Sequence, residues 1–272
     1  MLKLIYNNFK VLLLGTIITL GCNSLNAFEN HNNDTVFTNA KADNKTAIVT
    51  GSNRGMGLGW VKHFLNEGYT VIATARKPEK ADDLIALKKQ YKKQLLIQKL
   101  DVTSEEDMAA LSAMLKKKNI KIDIAISNAG VTVLEDFGKW TSKGILMNFK
   151  VNTMGSALFA QAIGPYLNNG ATLVNLSSGA GSITYQKKSN DLDAYRISKA
   201  GVNMLTRTLS ARFEDRNIIV ISITPGGVKT DMNPNGKLSV SEAIPIMYNT
   251  ILNLTMENSG TFINNKGKLM AW

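Results

Sequence analysis

Short runs of β-branched and aliphatic residues recur along this chain, at 46–50, 70–74, 95–100, 122–126, 172–176, 218–224 and near 261–263, with segments of helical period between them. Strands that alternate with helices predict βαβ units and a parallel sheet. The runs are almost continuously apolar, as strands buried on both faces should be. The helical patterns include 57–67, 105–117, 143–167 and 193–214. Right-handed crossovers then give an α/β fold, a single-domain, Rossmann-like, doubly wound parallel sheet flanked by helices. Such sheets bind ligands beyond the carboxyl ends of their strands. The chemistry-bearing motifs fall there.

The first run leads directly into Thr50-Gly51-Ser-Asn-Arg54-Gly55-Met-Gly57, and a helical pattern follows. Gly51 permits a tight turn, while Gly55 and Gly57 let backbone and a helix N-terminus approach a pyrophosphate. The spacing Gly-x-x-x-Gly-x-Gly is a variant of the more familiar dinucleotide fingerprint. Alone it also fits a plain tight loop, and its place between strand and helix is what gives it weight.

A carboxylate at the end of the second strand would accept from a ribose 2′-hydroxyl and repel a 2′-phosphate. The sequence there is Ala73-Thr74-Ala75-Arg76-Lys77, without an acid. Arg76, with Arg54 from the glycine turn, can clamp a phosphate through charge-assisted bonds; the bland alternative is two surface arginines. The pattern favours NADP(H) over NAD(H). Asp101, after the third run, can accept from an adenine amine or cap the next helix. Asn128 and Gly130, after the fourth, can bring backbone close to an adenosine ribose or simply form a turn.

Tyr195-Arg-Ile-Ser-Lys199 lies about 140 residues beyond the glycine turn. A Tyr and a Lys four apart share one helix face, which sets an ammonium beside a phenol. Such a pair alone is an ordinary amphipathic helix; downstream of a nucleotide turn it is the start of a proton donor. The two histidines, His31 and His63, have no ligand-like spacing with acids, so no metal site is expected.

Lys3 and Lys10 precede an apolar run, 11–20, followed by Gly21-Cys22 and an Asn-rich stretch to Asn44. That run is too short for a membrane span, which needs about 20 residues, and it reads as a secretory h-region. Residues 1–27 are assigned as a signal peptide or lipoprotein-type leader, with Cys22 or the bond after Ala27 as processing points. Residues 28–44 form a linker and 45–272 the folded domain. The lysines ahead of the run would place the domain outside the cytoplasm, so export or membrane anchoring through the N-terminus is expected, the alternative being a start-site extension on a cytoplasmic protein. Reduced nicotinamide cofactors are cytoplasmic, which pulls the other way.

Cys22 is the only cysteine, so the domain has no disulfide. Of the net charge of +11, residues 1–42 supply +1 and leave +10 on the remainder. The lysines fall in scattered helical clusters such as Lys116-Lys117-Lys118 without interleaved aromatics, a solvated surface rather than a nucleic-acid face.

The order of these motifs resembles the short-chain dehydrogenase/reductase (SDR) family, and the resemblance spans essentially everything from Lys45 to Trp272. Thr-Gly-x-x-x-Gly-x-Gly, Asp101, Asn128-Ala-Gly, Asn152, Ser178, Tyr195-x-x-x-Lys199 and Pro225-Gly226 all appear in family order. Ala194-Tyr-Arg-Ile-Ser-Lys-Ala200, Pro225-Gly-Gly-Val-Lys-Thr-Asp-Met232 and the closing Gly260-Thr-Phe to Trp272 look like the C-factor and sniffer-type carbonyl reductases, which generally use NADPH.

The resemblance implies an NADP-dependent oxidoreductase that reduces a small aldehyde or ketone, or oxidises the alcohol. Tyr195 would be the general acid that protonates the carbonyl oxygen as hydride arrives, and the base in reverse. Lys199 would lower the phenol from its ordinary value of about 10 and hold the nicotinamide ribose. Ser178 would hydrogen-bond the substrate oxygen, and Asn152 would hold a water relaying protons to Lys199. Cofactor contacts are implied for Gly51, Asn53, Arg54, Gly55, Met56, Gly57, Arg76, Asp101, Val102, Asn128, Ala129, Gly130, Tyr195, Lys199, Pro225, Gly226, Val228 and Thr230, the last at the carboxamide. The family commonly pairs its two long helices, here 143–167 and 193–214, which implies a homo-oligomer.

Two departures from the family pattern stand out. Ser177 and Ser178 are adjacent, and alignment of Asn175-Leu-Ser-Ser-Gly-Ala-Gly181 selects the second. It lies 17 residues before Tyr195, a longer gap than usual, and the extra residues at 186–191, with Met232 and Asn233, are expected to shape the substrate pocket. Ser127 replaces the first Asn of Asn-Asn-Ala-Gly, with an expected effect on hydrogen bonding between strands rather than on chemistry. A non-catalytic NADP-binding signalling or envelope protein on the same fold is the competing class; the intact Asn152, Ser178, Tyr195 and Lys199 argue against it.

Overall fold

The computed structural model describes residues 45–186 and 191–272, so the leader at 1–27, the linker at 28–44 and most of the 186–191 segment lie outside the described residues. Strand β1 (Thr46–Val49) runs through the glycine turn into α1 (Gly55–Asn66), and β2 (Thr70–Ala75), α2 (Asp82–Gln90), β3 (Leu95–Lys99) and α3 (Glu105–Lys117) follow. Beyond β4 (Ile122–Ser127) come α4 (Ser142–Phe149), α5 (Gly155–Ile163), β5 (Leu167–Leu176) and α6 (Asp193–Arg212). The described chain closes with β6 (Ile219–Thr224), α7 (Val240–Leu252) and β7 (Phe262–Asn264).

Among the described residues, seven strands form one sheet in the order β3-β2-β1-β4-β5-β6-β7, every pair parallel. The period-2 pleat divides each apolar run between two cores. Ala47 and Val49 of β1 face one hydrophobic cluster with Val71, Ala73, Ile124 and Ile126, backed by α1 and α7. Ile48 faces the other with Ile72, Ala125 and Leu173, backed by α3 and α5. A branched side chain buried this fully contributes roughly 1.5–3 kcal/mol, which is why the strands have no polar face.

The chain steps outward from β1 to β2 and β3, then crosses back through α3 to lay β4 on the other side of β1. The ends of β1 and β4 therefore flank a topological switch point. A crevice opens between them.

The helical pattern at 143–167 is corrected in two respects. It is broken by a π-helical turn at Lys150–Met154, and Leu167 is not helical but opens β5, paired with Ile122. Pro165 has no N–H to continue the ladder, and the chain passes through a short 3-10 turn into the strand. Strand β5 consequently begins five residues before the apolar run at 172–176, with Gly170 at φ +78° in an irregular stretch of its pairing with β4. The structure adds α2 and α7 to the helices named from sequence. Ser239 and Glu242 close α7 with a capping box, and the helix tolerates Pro245 in its interior.

Candidate active site

Thr50 and Ser52, two buried residues at the foot of the glycine turn, fix its shape. The Thr50 hydroxyl oxygen accepts from the N–H groups of Asn128 and Ala129, each at 2.9 Å. The Ser52 hydroxyl donates to Val49 O at 2.8 Å and accepts from Thr74 N at 3.2 Å. The turn is thus tied to β2 and to the end of β4, the two strands on either side of β1.

The glycines are required by contact as well as by angle. A Cβ on Gly51, at φ +66°, would lie 3.0 Å from Ala129 Cα. One on Gly57 would lie 2.1 Å from Gly51 O and 2.7 Å from Asn128 Nδ2. Helix α1 starts at Gly55 with no side-chain cap and no acid in its first turn, so its leading N–H groups remain available to an anion. This cradle fits a pyrophosphate.

The residues named as cofactor contacts divide by what their side chains do. Asn53, Arg54, Gly55 and Arg76 are exposed at the lip of the crevice. Arg76 makes no hydrogen bond or ion pair to a described residue. Arg54 pairs with Asp231, Nη1 to Oδ2 at 2.9 Å. Met56, Val102 and Val228 turn their side chains into or against the cores, and Val102 lies against Gly155, so only their backbone is offered to the crevice.

Asp101 Oδ1 is occupied by Thr103, from N–H at 2.9 Å and hydroxyl at 2.7 Å, and the cap of α3 is Ser104 rather than Asp101. The Asn128 amide donates to Thr50 O at 2.8 Å and Gly51 O at 3.3 Å, so its side chain braces the turn. Pro225 ends the β6 edge and Gly226 reverses the chain at φ +77°. Thr230 then faces the glycine turn, its Cγ2 lying 3.8 Å from where a Gly55 Cβ would stand.

Lys199 and Tyr195 sit one turn apart on α6 against the end of β5. Gly181 makes the approach of the β5 loop possible, since a Cβ there would come within 2.8 Å of the Lys199 backbone. Lys199 Nζ is buried, donates to Leu176 O at 2.7 Å and stands 5.7 Å from the centroid of the Tyr195 ring. Of the two serines, Ser178 hydrogen-bonds Tyr195. Ser177 is buried and donates to Asn203 Oδ1 at 2.6 Å.

Burial lowers Lys199 from 10.5 to about 8, because the charged ammonium loses its hydration. Burial also pushes the Tyr195 phenol up, with the Ser178 hydrogen bond opposing it. The expected lowering of Tyr195 by Lys199 is therefore corrected: desolvation sets the direction of the shift, which is upward. What Lys199 gains instead is its own titration close to neutrality.

Asn152 lies in the π turn. Its Nδ2 donates to Val131 O at 3.0 Å and Ser198 Oγ at 2.9 Å, and its Oδ1 accepts from Val131 N at 2.8 Å. Both amide protons are spent on structure, so only the second lone pair of Oδ1 is left for a relay water. The backbone of Gly130 comes close to both groups: a Cβ there would lie 3.2 Å from Asn152 Oδ1 and 3.8 Å from Lys199 Nζ. Ser127 donates to Ser156 Oγ at 2.9 Å, and Ser156 to Asn152 O at 2.7 Å. Its hydroxyl thus reaches α5, and through Ser156 the π turn, rather than a neighbouring strand, which corrects the expectation for that position.

The loop from Ser178 to Tyr195 is held from an unexpected quarter. The buried Ser182 hydroxyl donates to Ala271 O at 2.8 Å and Trp272 O at 3.1 Å, and Thr184 N donates to Trp272 O at 2.7 Å. Trp272 stacks on Phe262, centroids 5.9 Å apart. Gln186 bonds back to Ser182 O and accepts from Arg196 at 2.7 Å. Ile183 and Tyr185 on this loop, with Met232 across the crevice mouth, are exposed. Asn233, expected in the pocket, ties its amide to Val228 O at 3.2 Å instead. Removing the ring in Trp272→Ala forfeits a contact worth roughly 0.5–1.5 kcal/mol; exchange mass spectrometry should show amide exchange at 182–186 rising up to about tenfold.

A family model for short chain dehydrogenase matches residues 45–239. A short chain dehydrogenase of Penicillium aethiopicum is 32% identical over 250 residues, covering 84% of this chain and 99% of its own length. The NADPH-bound carbonyl reductase from chicken fatty liver is 32% identical and superposes with a TM-score of 0.79 over 85% of this chain and 100% of that one. The carbonyl reductase Sniffer of D. melanogaster is 29% identical, with the same TM-score and coverage. With a matching family model over most of the chain, this protein belongs to the short-chain dehydrogenase/reductase family.

Proposed function

We propose that this protein is an NADP(H)-dependent carbonyl reductase acting on a small aldehyde or ketone, or on the corresponding alcohol in reverse. The observation that carries the reading is the convergence of Ser178, Tyr195 and Lys199 at the crevice whose other wall is the uncapped α1 terminus. The bound nicotinamide would supply or accept the hydride. Ser178 and Tyr195 would hold the carbonyl oxygen between two hydroxyls, and Tyr195 would pass its proton to that oxygen as negative charge develops. Lys199, titrating at about 8, would return a proton to Tyr195. Raised above its ordinary value, the Tyr195 phenol stays protonated at neutral pH, as the reductive direction requires.

Selection of NADP(H) is supported by the absence of an acid after β2 and by Arg54 and Arg76 at the lip. The chicken reductase named above binds NADPH. If Arg76 grips the 2′-phosphate, charge-assisted bonds of about 1.5–3 kcal/mol are at stake. Arg76→Ala should then weaken NADPH binding about 10- to 100-fold and leave NADH unchanged, as read by fluorescence titration. Turnover of a panel of aldehydes and ketones with each cofactor tests the activity; no cofactor oxidation with any member would sink the reading.

Pairing of two copies through α4, α5 and α6 is part of the proposal. Leu146, Met147, Phe149, Ile197 and Met204 are exposed on these helices, and a groove lined by Ala157, Ala160, Leu205 and Leu209 lies between α5 and α6. Light scattering on the purified chain should give twice the monomer mass or a multiple of it. Export through the leader is likewise proposed, and fractionation with Cys22→Ser tests it.

A further inference from the structure

Arg54 and Asp231 are 177 residues apart in sequence and 2.9 Å apart in space. Arg54 is the last residue before α1, on one lip of the crevice. Asp231 follows Thr230 in the loop after β6, on the other. The lips also approach at the neighbouring position, where Thr230 Cγ2 would lie 3.8 Å from a Gly55 Cβ. The ion pair therefore bridges the crevice at the mouth of the pyrophosphate cradle.

The pair is single-pronged: only Nη1 of the guanidinium is used, and Arg54 makes no other side-chain bond among the described residues. Asp231 accepts nothing else there. Both side chains are open to solvent, 72% and 77% exposed, so the bond is weak and readily exchanged. A phosphate monoester carries a charge of about −1.5 to −2 with three acceptor oxygens, and a guanidinium fork suits it better than one carboxylate oxygen. A 2′-phosphate arriving at this lip would meet an arginine already engaged and a carboxylate that repels it.

We propose that Asp231 is a cofactor-selectivity residue, an internal anion that holds Arg54 across the crevice and that the 2′-phosphate of NADP(H) must displace. This rests on the reading of Arg54 as a phosphate ligand. Asp231 then limits the preference for NADP(H) that Arg54 creates. A cofactor without the phosphate leaves the pair closed, and its affinity does not depend on Asp231.

The test is a titration of the full chain with NADPH and with NADH, followed by cofactor fluorescence at low salt, for the wild type, Asp231→Asn, Arg54→Ala and the double variant. Asp231→Asn keeps the size of the side chain and removes no bond from its own loop. It should lower the NADPH dissociation constant about two- to fivefold, the range set by an exposed ion pair, and leave NADH unchanged. Arg54→Ala should weaken NADPH, and on that background Asp231→Asn should tighten NADPH less than it does alone.

Unchanged or weaker NADPH binding in Asp231→Asn, or an equal gain for NADH, overturns the proposal. If that happens while Arg54→Ala still weakens NADPH, the ligand role of Arg54 survives and only the displacement is wrong. If Arg54→Ala has no effect, or wild type does not prefer NADPH, the underlying reading fails and takes the proposal with it.

Discussion

Tyr195→Phe is expected to cut kcat for carbonyl reduction by about 10²–10⁴-fold, the contribution typical of one positioned acid, with NADPH affinity unchanged. The variant removes only the hydroxyl, and the ring keeps its place beside Lys199 on α6. The proton then has no donor at the carbonyl oxygen, because the Ser178 hydroxyl lies far above neutrality in its own ionisation and Lys199 points at Leu176 O. Steady-state rates and cofactor titration on the same samples separate the two effects. A kcat within threefold of wild type would remove Tyr195 from the chemistry and with it the proposed mechanism.

Lys199→Met should lose activity on a similar scale and also alter the pH dependence of stability. Lys199 titrates at about 8 in the folded protein against an ordinary 10.5. Between those values the unfolded chain holds a proton that the folded chain has released, so stability rises with pH, by at most about 1.4 kcal/mol per unit. Below pH 8 both states are protonated and the full penalty of burying the charge remains. Above pH 10 the rise is opposed by Tyr195 and Tyr69, whose phenols burial holds above their ordinary value. Urea midpoints from pH 7 to 10 should climb in the wild type and lie flat by comparison in the variant. Parallel profiles would show that Lys199 is not the desolvated charge its burial indicates.

The two effects have one physical source. The site places a cation where water cannot stabilise it, which costs stability and brings its proton within reach of neutral pH. Among the described residues, the carbonyl of Leu176 accepts its hydrogen bond.

Much of this was legible in the order of residues. The strands at 46–50, 70–74 and 122–126 were readable because burial on both faces leaves no polar position to blur the run, and the observed elements agree to within a residue. Helix 105–117 carries its own signals, a serine cap at Ser104, acids in the first turn and lysines in the last. The long helix before β5 was less legible. Its apolar period continues smoothly through the π turn and past Pro165, and only the pairing of Leu167 with Ile122 shows where helix gives way to strand.

At the site, local motifs indicated which residues gather, since glycines that must meet backbone and a Tyr–Lys pair one turn apart are properties of neighbours in sequence. What each side chain does there was decided by distant partners. Asn152 spends its amide protons on Val131 and Ser198, Asn128 braces the glycine turn, and Arg54 is held by a carboxylate 177 residues away. Desolvation, which sets the proton affinities of Tyr195 and Lys199, depends on every element packed around them. The sequence by itself determined the alternation of strand and helix, the cofactor turn and the Tyr195–Lys199 pair, because each follows from the period or contact of nearby residues. Only the tertiary structure decided the charge balance, the spent hydrogen bonds and the bridge across the crevice, because those energies belong to groups that meet only once the sheet has formed.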